Sequence, residues 1–99
     1  MFDLKKAMEL KKQMEAVQAK LDSIEVEGQS GDGKMTVTVT ANANREIKNI
    51  AISEGLIASG DKEHIEDLVL TAINRAMDQA KNVAESEARG MAMGGGLGF

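Results

Sequence analysis

The chain has 99 residues, about the size of one small domain, and carries a net charge of −4 from 12 Lys and Arg against 16 Asp and Glu. This overall charge does not favour nucleic acid, and the absence of Cys excludes disulfides and the usual Cys-containing zinc sites, as is typical of a reducing compartment. One His and no Tyr or Trp leave few groups for catalysis near neutral pH, so we expect no enzyme, no cofactor and no small-molecule substrate.

The first predicted element is an amphipathic helix from about Asp3 to Asp22, because apolar residues recur at alternating steps of three and four. At roughly 1.5 Å per residue it would be about 28 Å long, whereas typical strands measure about 17–20 Å. One end of this helix must therefore extend beyond the sheet. The apolar positions are Ala7, Leu10, Met14, Val17, Leu21 and Ile24.

Three antiparallel strands are expected next. A short strand at Ile24–Glu27 leads into the Gly-rich segment Gly28–Gly33, which is typical of a tight reversal. Strict alternation of apolar and Thr residues predicts the second strand from Lys34 to Ala41. The segment Asn42–Asn44 tolerates the positive φ of a turn. The third strand, with a bulge or a late start, contains Ile47, Ile50 and Ile52.

The C-terminal part of the chain predicts a connection at Glu54–Gly60 and then a second long helix capped by Asp61. This helix should end between Ala84 and Arg89. Residues 1–89 then form a single α+β domain in the order helix, three-stranded antiparallel meander, helix (αβββα), and residues 90–99 form a flexible Gly- and Met-rich tail. The apolar positions of the second helix are Ile65, Leu68, Val69, Ala72, Ile73, Ala76, Met77, Ala80 and Val83.

Two motifs that could carry chemistry are incomplete. Gly28–Met35 nearly matches the phosphate loop G-x-x-x-x-G-K-[ST], but Met35 replaces the hydroxyl that binds magnesium and a strand follows where a helix is needed. His64 lies beside Glu63 and Asp67 at the start of the second helix, yet no second His or Cys completes a metal site. We therefore expect a hairpin rather than a nucleotide site, and no bound metal.

The apolar stripe of the first helix continues towards its N-terminus, past the part that a sheet can cover. Burying each large side chain is worth on the order of 1.5–3 kcal/mol, and the sheet also has open edges, so we expect a homodimer. The alternative is a monomer with a frayed N-terminus. The expected dimer interface consists of Phe2, Leu4, Ala7, Leu10 and Met14.

The first helix is the only part of the chain that is not acidic, with five Lys against four Asp and Glu. Its two adjacent Lys pairs lie about two turns apart and could follow a phosphate backbone along one side of the helix. An ordinary solvated face is the other interpretation, because Glu9 and Glu15 lie four residues after Lys5 and Lys11 and could pair with them. The candidate DNA contacts are Lys5, Lys6, Lys11, Lys12 and Lys20.

No window approaches the roughly 18 apolar residues of a membrane span, and the N-terminus lacks the apolar stretch of a signal peptide. We therefore expect a cytoplasmic protein without a membrane partner.

Six segments form a distinctive combination through their order and spacing. They are Met8–Leu21, Val26–Lys34, Thr36–Val39, Ile50–Ile52, Glu66–Val69 and Ala72–Ala76. With them the chain, from about Leu4 to Glu87, resembles the YbaB/EbfC family of small bacterial nucleoid-associated DNA-binding proteins. The resemblance implies the αβββα fold, a homodimer with protruding helices, DNA binding without catalysis, and a location at the nucleoid. Ser53–Gly55 and Asn42–Asn44 depart from the family pattern, both in loops.

These observations favour a nucleoid-associated homodimer that binds double-stranded DNA through phosphate contacts from the first helix. We expect little sequence specificity, since the chain offers no aromatic stacking platform and no obvious recognition helix. The alternative is an acidic homodimeric protein-interaction module, an adaptor or a chaperone, whose apolar stripe binds a partner without direct contact to DNA.

Overall fold

The computed structural model describes residues 3–93. The elements are α1 (Leu4–Ser23), β1 (Glu25–Asp32), β2 (Met35–Asn42), β3 (Ile47–Ile52), the short helix α2 (Glu54–Ser59) and the long helix α3 (Lys62–Met93). The three strands form one antiparallel sheet in the order β1-β2-β3. The predicted α+β class and the predicted order of helix, three strands and long helix are confirmed.

Helix α1 begins and ends where the sequence predicts. The Oδ1 atom of Asp3 accepts hydrogen bonds from the backbone N–H groups of Lys5 and Lys6 at 3.0 and 3.3 Å. A carboxylate at this position satisfies amides that have no partner inside the helix, which is why Asp is a favoured N-cap.

The core lies between α3 and one face of β1 and β2. On β2 the alternation is as predicted, because Val37, Val39 and Ala41 are buried while the Thr residues between them are half-buried on the other face. Leu56 of α2 is also fully buried. Three alanines at helical spacing supply the α3 side of the core: Ala72, Ala76 and Ala80.

The tight reversal predicted at Gly28–Gly33 is wrong, because most of this segment is strand. β1 continues to Asp32, and only Gly33 and Lys34 form the turn to β2. Gly33 has a φ of 57°, a left-handed conformation that residues with a Cβ atom rarely adopt.

Gly28 and Ser30 are small because α3 crosses β1 at close range. A Cβ atom at Gly28 would lie 2.3 Å from the carbonyl oxygen of Ala72 and 2.3 Å from the amide nitrogen of Ala76. Ser30 is buried, and its hydroxyl donates a hydrogen bond to the carbonyl oxygen of Leu68 at 2.5 Å. These small residues therefore shape a helix contact and not a loop.

The irregularity predicted in the third strand is a β-bulge. Thr40 pairs with Asn49, but Ala41 pairs with Ile47, so Lys48 is an extra residue in β3. A bulge shifts the register of one strand by one residue, which explains why the isoleucines of β3 change from odd to even positions.

The turn between β2 and β3 takes its positive φ at Arg45, at 66°, and not within Asn42–Asn44 as predicted. The side chain of Asn42 holds the turn together. Oδ1 of Asn42 accepts hydrogen bonds from the backbone N–H groups of Asn44 and Glu46, both at 3.0 Å. The left-handed position therefore falls on the residue between them.

The predicted connection at Glu54–Gly60 contains the short helix α2, which is too short to show helical periodicity. The hydroxyl of Ser53 caps it by accepting a hydrogen bond from the N–H group of Leu56. As predicted, Asp61 caps the long helix, and its Oδ1 accepts a hydrogen bond from the N–H group of His64 at 3.1 Å.

Helix α3 ends later than predicted. The end was expected between Ala84 and Arg89, but the helix continues to Met93 and includes Gly90. A single Gly costs only about 1 kcal/mol relative to Ala in a helix, and its neighbours are good helix formers, so the helix propagates through it. Part of the predicted tail is therefore helical, and residues 94–99 lie outside the described residues. Between residues 3 and 93, no helix is long and apolar enough to cross a membrane.

Candidate nucleic-acid interface

Helix α1 projects from the sheet, as expected for a helix longer than the strands. The structure measures 64 × 21 × 18 Å along its principal axes. Leu21, in the last turn, is the buried residue of α1, and from residue 3 to residue 16 all the side chains are exposed except the half-buried Ala7. About three turns of α1 are therefore free to meet another molecule.

The base of α1 is held by the turn between β2 and β3. The N–H group of Ala43 donates to the carbonyl oxygen of Leu21 at 3.1 Å. Nδ2 of Asn44 donates to the carbonyl oxygen of Gln18 at 3.0 Å and to Oδ1 of Asp22 at 2.5 Å. These bonds all lie in the C-terminal part of α1, so the helix is attached at one end.

Lys20 takes part in the contact between α1 and α3. Its Nζ atom lies 2.9 Å from Oε2 of Glu87, and the two side chains are 59% and 30% exposed. A phosphate at Lys20 would compete with this carboxylate. The contact of Lys20 with DNA stays a prediction, but its charge is already partly neutralised within the chain.

The other four candidate lysines are exposed, and no ion pair within residues 3–93 involves them. Glu9 and Glu15, which could have paired with Lys5 and Lys11, do not come within 4.0 Å of them. None of these four lysines is therefore held in an ion pair by an acid of α1.

These four lysines do not share one side of α1. At about 100° per residue, Lys5 and Lys12 lie within about 20° of each other and about 10 Å apart along the axis. Lys6 and Lys11 lie on the two sides of the apolar stripe, each about 70° from its centre. Only Lys5 and Lys12 therefore form one line, and this line is opposite the apolar stripe.

The apolar stripe of α1 is uncovered. Leu4, Leu10 and Met14 are 64%, 54% and 57% exposed, and Leu10 and Met14 line an open groove of about 600 Å³. Phe2, the remaining large residue of the predicted interface, lies outside the described residues. Such a run of exposed large apolar side chains is uncommon on a monomer surface and marks an interaction site.

Strand β3 presents a second uncovered apolar surface, which sequence reasoning did not identify. Ile47 and Ile50 pair with Ala41 and Val39 and so face the same side of the sheet as the core. They are nevertheless 41% and 43% exposed, because α3 packs on β1 and β2. The sequence did contain one signal for this surface, because a single long helix is too narrow to cover all three predicted strands.

His64 and its acidic neighbours do not gather into a site. Within the described part of the chain, no three His, Cys, Asp or Glu side chains are placed to hold a metal ion. The described residues instead present a charged feature, the projecting helix α1 with four lysines that form no ion pair.

The comparisons with known proteins agree on one family. The model of the YbaB/EbfC DNA-binding family matches residues 1–96. A relative from Nitrobacter winogradskyi, named nucleoid-associated protein, is 40% identical over 97% of this chain and 87% of its own. Relatives with the same name from Neisseria meningitidis and Methylocella silvestris are 38% and 34% identical over 92% of this chain, and 82% and 83% of their own.

A crystal structure of an uncharacterized Helicobacter pylori protein has the same fold. Its TM-score is 0.73 at 22% sequence identity, and the match covers 93% of this chain and 99% of that one. Together with the family model and the relatives, the fold leaves one assignment: the chain belongs to the YbaB/EbfC DNA-binding family.

Proposed function

We propose that the protein is a nucleoid-associated homodimer that binds double-stranded DNA, with little sequence specificity, through phosphate contacts from the lysines of α1. Membership of a DNA-binding family supports the class of ligand, and the names of the relatives support a location at the nucleoid in the cytoplasm. The observation that carries the proposal is the line of Lys5 and Lys12 on a projecting helix, without an acid within 4.0 Å.

Distance separates the basic end of α1 from the acidic body. Residues 3–14 contain four Lys against Asp3 and Glu9, a local charge of +2 in a chain whose net charge is −4. A helix of 20 residues is about 30 Å long, several times the Debye length of about 8 Å at physiological ionic strength. Salt therefore screens the body's acids from the end of α1, which attracts phosphate despite the sign of the net charge.

Weak specificity follows from the side chains that α1 offers. The helix has no Arg and no aromatic residue, so it lacks the bidentate guanine contact and the stacking platform that read or hold bases. Lysines bound to phosphates fix the position of a protein on the duplex but carry no sequence information.

The homodimer is supported by two uncovered apolar surfaces on the same chain. The stripe of α1, with Leu4, Ala7, Leu10 and Met14, and the open face of β3 both need a cover. A second copy supplies one, and burial of each large side chain is worth on the order of 1.5–3 kcal/mol. Dimerisation through the stripe leaves Lys5 and Lys12 on the opposite side of α1, facing solvent, and doubles their number.

Titration of a labelled duplex at two salt concentrations tests the proposal. We expect the double variant Lys5→Gln, Lys12→Gln to bind at least tenfold more weakly and to lose about 0.9 from the slope of log K against log salt for each phosphate contact removed. The matched control is Lys34→Gln, Lys62→Gln, which changes the charge equally at the other end of the sheet. Equal losses in both variants would contradict specific contacts by α1.

The dimer has its own test, since Leu10→Glu in the stripe should yield monomers in sedimentation or sizing experiments. Leu70, which is 59% exposed on α3, provides the matched control Leu70→Glu, and this variant should remain dimeric. If the unaltered protein is a dimer with no affinity for DNA at low salt, the acidic protein-interaction module is the better description.

A further inference from the structure

Arg45 has a backbone conformation that its residue type does not favour. It is the non-glycine residue with positive φ among residues 3–93, at 66°. The left-handed conformation brings Cβ close to the following carbonyl oxygen, so any residue other than Gly, and to a lesser degree Asn or Asp, is destabilised there. Glycine would adopt this conformation without destabilising the turn. A strained residue of this kind is often retained for a function.

The guanidinium of Arg45 has no acidic partner in the described structure. The neighbouring Glu46 is engaged elsewhere, because its Oε1 lies 2.6 Å from Nζ of Lys48 and accepts a hydrogen bond from Nδ2 of Asn42 at 3.1 Å. Arg45 itself is exposed. Its charge is therefore available to a ligand.

Lys81 of α3 faces the same space as Arg45. The two residues, with Met77 and Asp78, line an open depression of about 450 Å³. Asp78 forms no ion pair with either cation within 4.0 Å. The depression is lined by two cations and one carboxylate, a net charge of +1, so it still attracts an anion. A guanidinium beside an ammonium group suits a phosphate.

The depression lies beside the base of the proposed DNA-binding helix. Asn44, the residue before Arg45, is bonded to Gln18 and Asp22 of α1. Gln18 lies seven residues after Lys11, so the two are on nearly the same line of the helix and about 10 Å apart. Arg45 therefore lies near the Lys11 side of α1, roughly 100–120° around the helix from the line of Lys5 and Lys12, and adds a separate positive group at the base of the helix.

We propose that Arg45 and Lys81 form a second phosphate-binding site, which holds the backbone of duplex DNA at the base of α1. This inference rests on the DNA binding proposed above. It explains why an arginine occupies a position where glycine would be more stable.

The variant Arg45→Gly separates binding from folding. Because Gly adopts positive φ without strain, the free energy of unfolding should stay the same or rise, while DNA affinity falls. For each site engaged, the salt slope should fall by about 0.9, which is roughly a 3.5-fold smaller change in affinity between 50 and 200 mM salt. Lys81→Gln should have the same effect on the slope.

The matched control is Lys62→Gln, which changes the charge equally at the far end of α3. Arg45→Gly and Lys81→Gln variants that bind DNA like Lys62→Gln would overturn the second site while leaving the binding by α1 intact. If the unaltered protein does not bind, or if Lys5→Gln, Lys12→Gln has no effect, the proposed function itself fails.

Discussion

Nζ of Lys20 lies 2.9 Å from Oε2 of Glu87, and this ion pair joins the last turns of α1 to the C-terminal half of α3. Both side chains are partly exposed, so the pair contributes at most about 1 kcal/mol to stability. The pair has a larger effect on charge, because the ammonium group of Lys20, one of the five lysines of α1, is bound to Glu87 and is less available to a DNA phosphate.

Glu87→Gln is therefore expected to strengthen DNA binding, because it removes an acid and releases Lys20. Stability should fall by less than about 1 kcal/mol. A titration of labelled duplex at low salt measures the affinity. The control is Glu85→Gln, which removes an exposed acid two residues away that forms no ion pair among the described residues. An equal gain in the control would mean that net charge alone is responsible.

Gly28→Ala should destabilise the fold by about 1–3 kcal/mol or more, as overpacking in a close contact does. The added Cβ would lie 2.3 Å from backbone atoms of Ala72 and Ala76, so α3 must move away from β1. Urea denaturation gives the free energy of unfolding. The same substitution at Gly90, where nothing lies within 4 Å, should instead stabilise the helix by up to about 1 kcal/mol. Equal stability of the Gly28→Ala and unaltered proteins would disprove the close contact.

Asn44→Ala should lower both stability and DNA affinity, because the side chain fixes the base of α1 through Gln18 and Asp22. The loss of these hydrogen bonds is expected to cost about 1–2 kcal/mol in the free energy of unfolding. Asn49→Ala on β3 is the control, since the Asn49 side chain forms no hydrogen bond within residues 3–93 and is exposed. A variant that keeps full affinity would show that α1 does not need this anchor.

The pKa of Lys48 is raised above its ordinary value of 10.5, first by the hydrogen bond to Glu46 and then by the charge of that carboxylate. A raised pKa in the folded state means that the pairing stabilises the protein below pH 10.5 and that this contribution is lost as the pH rises through the higher folded value. Glu46→Gln should bring the pKa back down, as measured by an NMR titration of the Lys48 side chain. Glu66→Gln, an exposed acid on α3, should leave it unchanged.

Local patterns in the sequence predicted the elements well. The carboxylate of Asp3 determines where α1 begins, and the alternation around Val37 and Val39 determines which face of β2 is buried. The bulge at Lys48 was visible in the spacing of the isoleucines. In each case the residues that give the signal are close together in the sequence, within one or two helical turns or a few strand positions. Periodicity can detect patterns over such short distances.

The features that sequence reasoning missed depend on contacts between distant parts of the chain. The Gly cluster around Gly28 predicts a turn, because such clusters usually mark turns, and only the position of α3 shows why no Cβ fits there. The partner of Lys20 is 67 residues away in sequence, at Glu87. The sequence gives no signal for a positive φ at Arg45, because the neighbouring asparagines are the usual residues for this conformation.

The bulge in β3 also limits how copies of this protein can meet. An exposed strand can template the addition of another chain, and natural proteins discourage this with irregular pairing and with lysines on the exposed strand. Here the extra residue in the outer strand is Lys48, in an ion pair with Glu46. The irregular, charged edge of β3 disfavours continuous cross-β growth. The edge therefore protects this protein against aggregation although the face of β3 is apolar and uncovered.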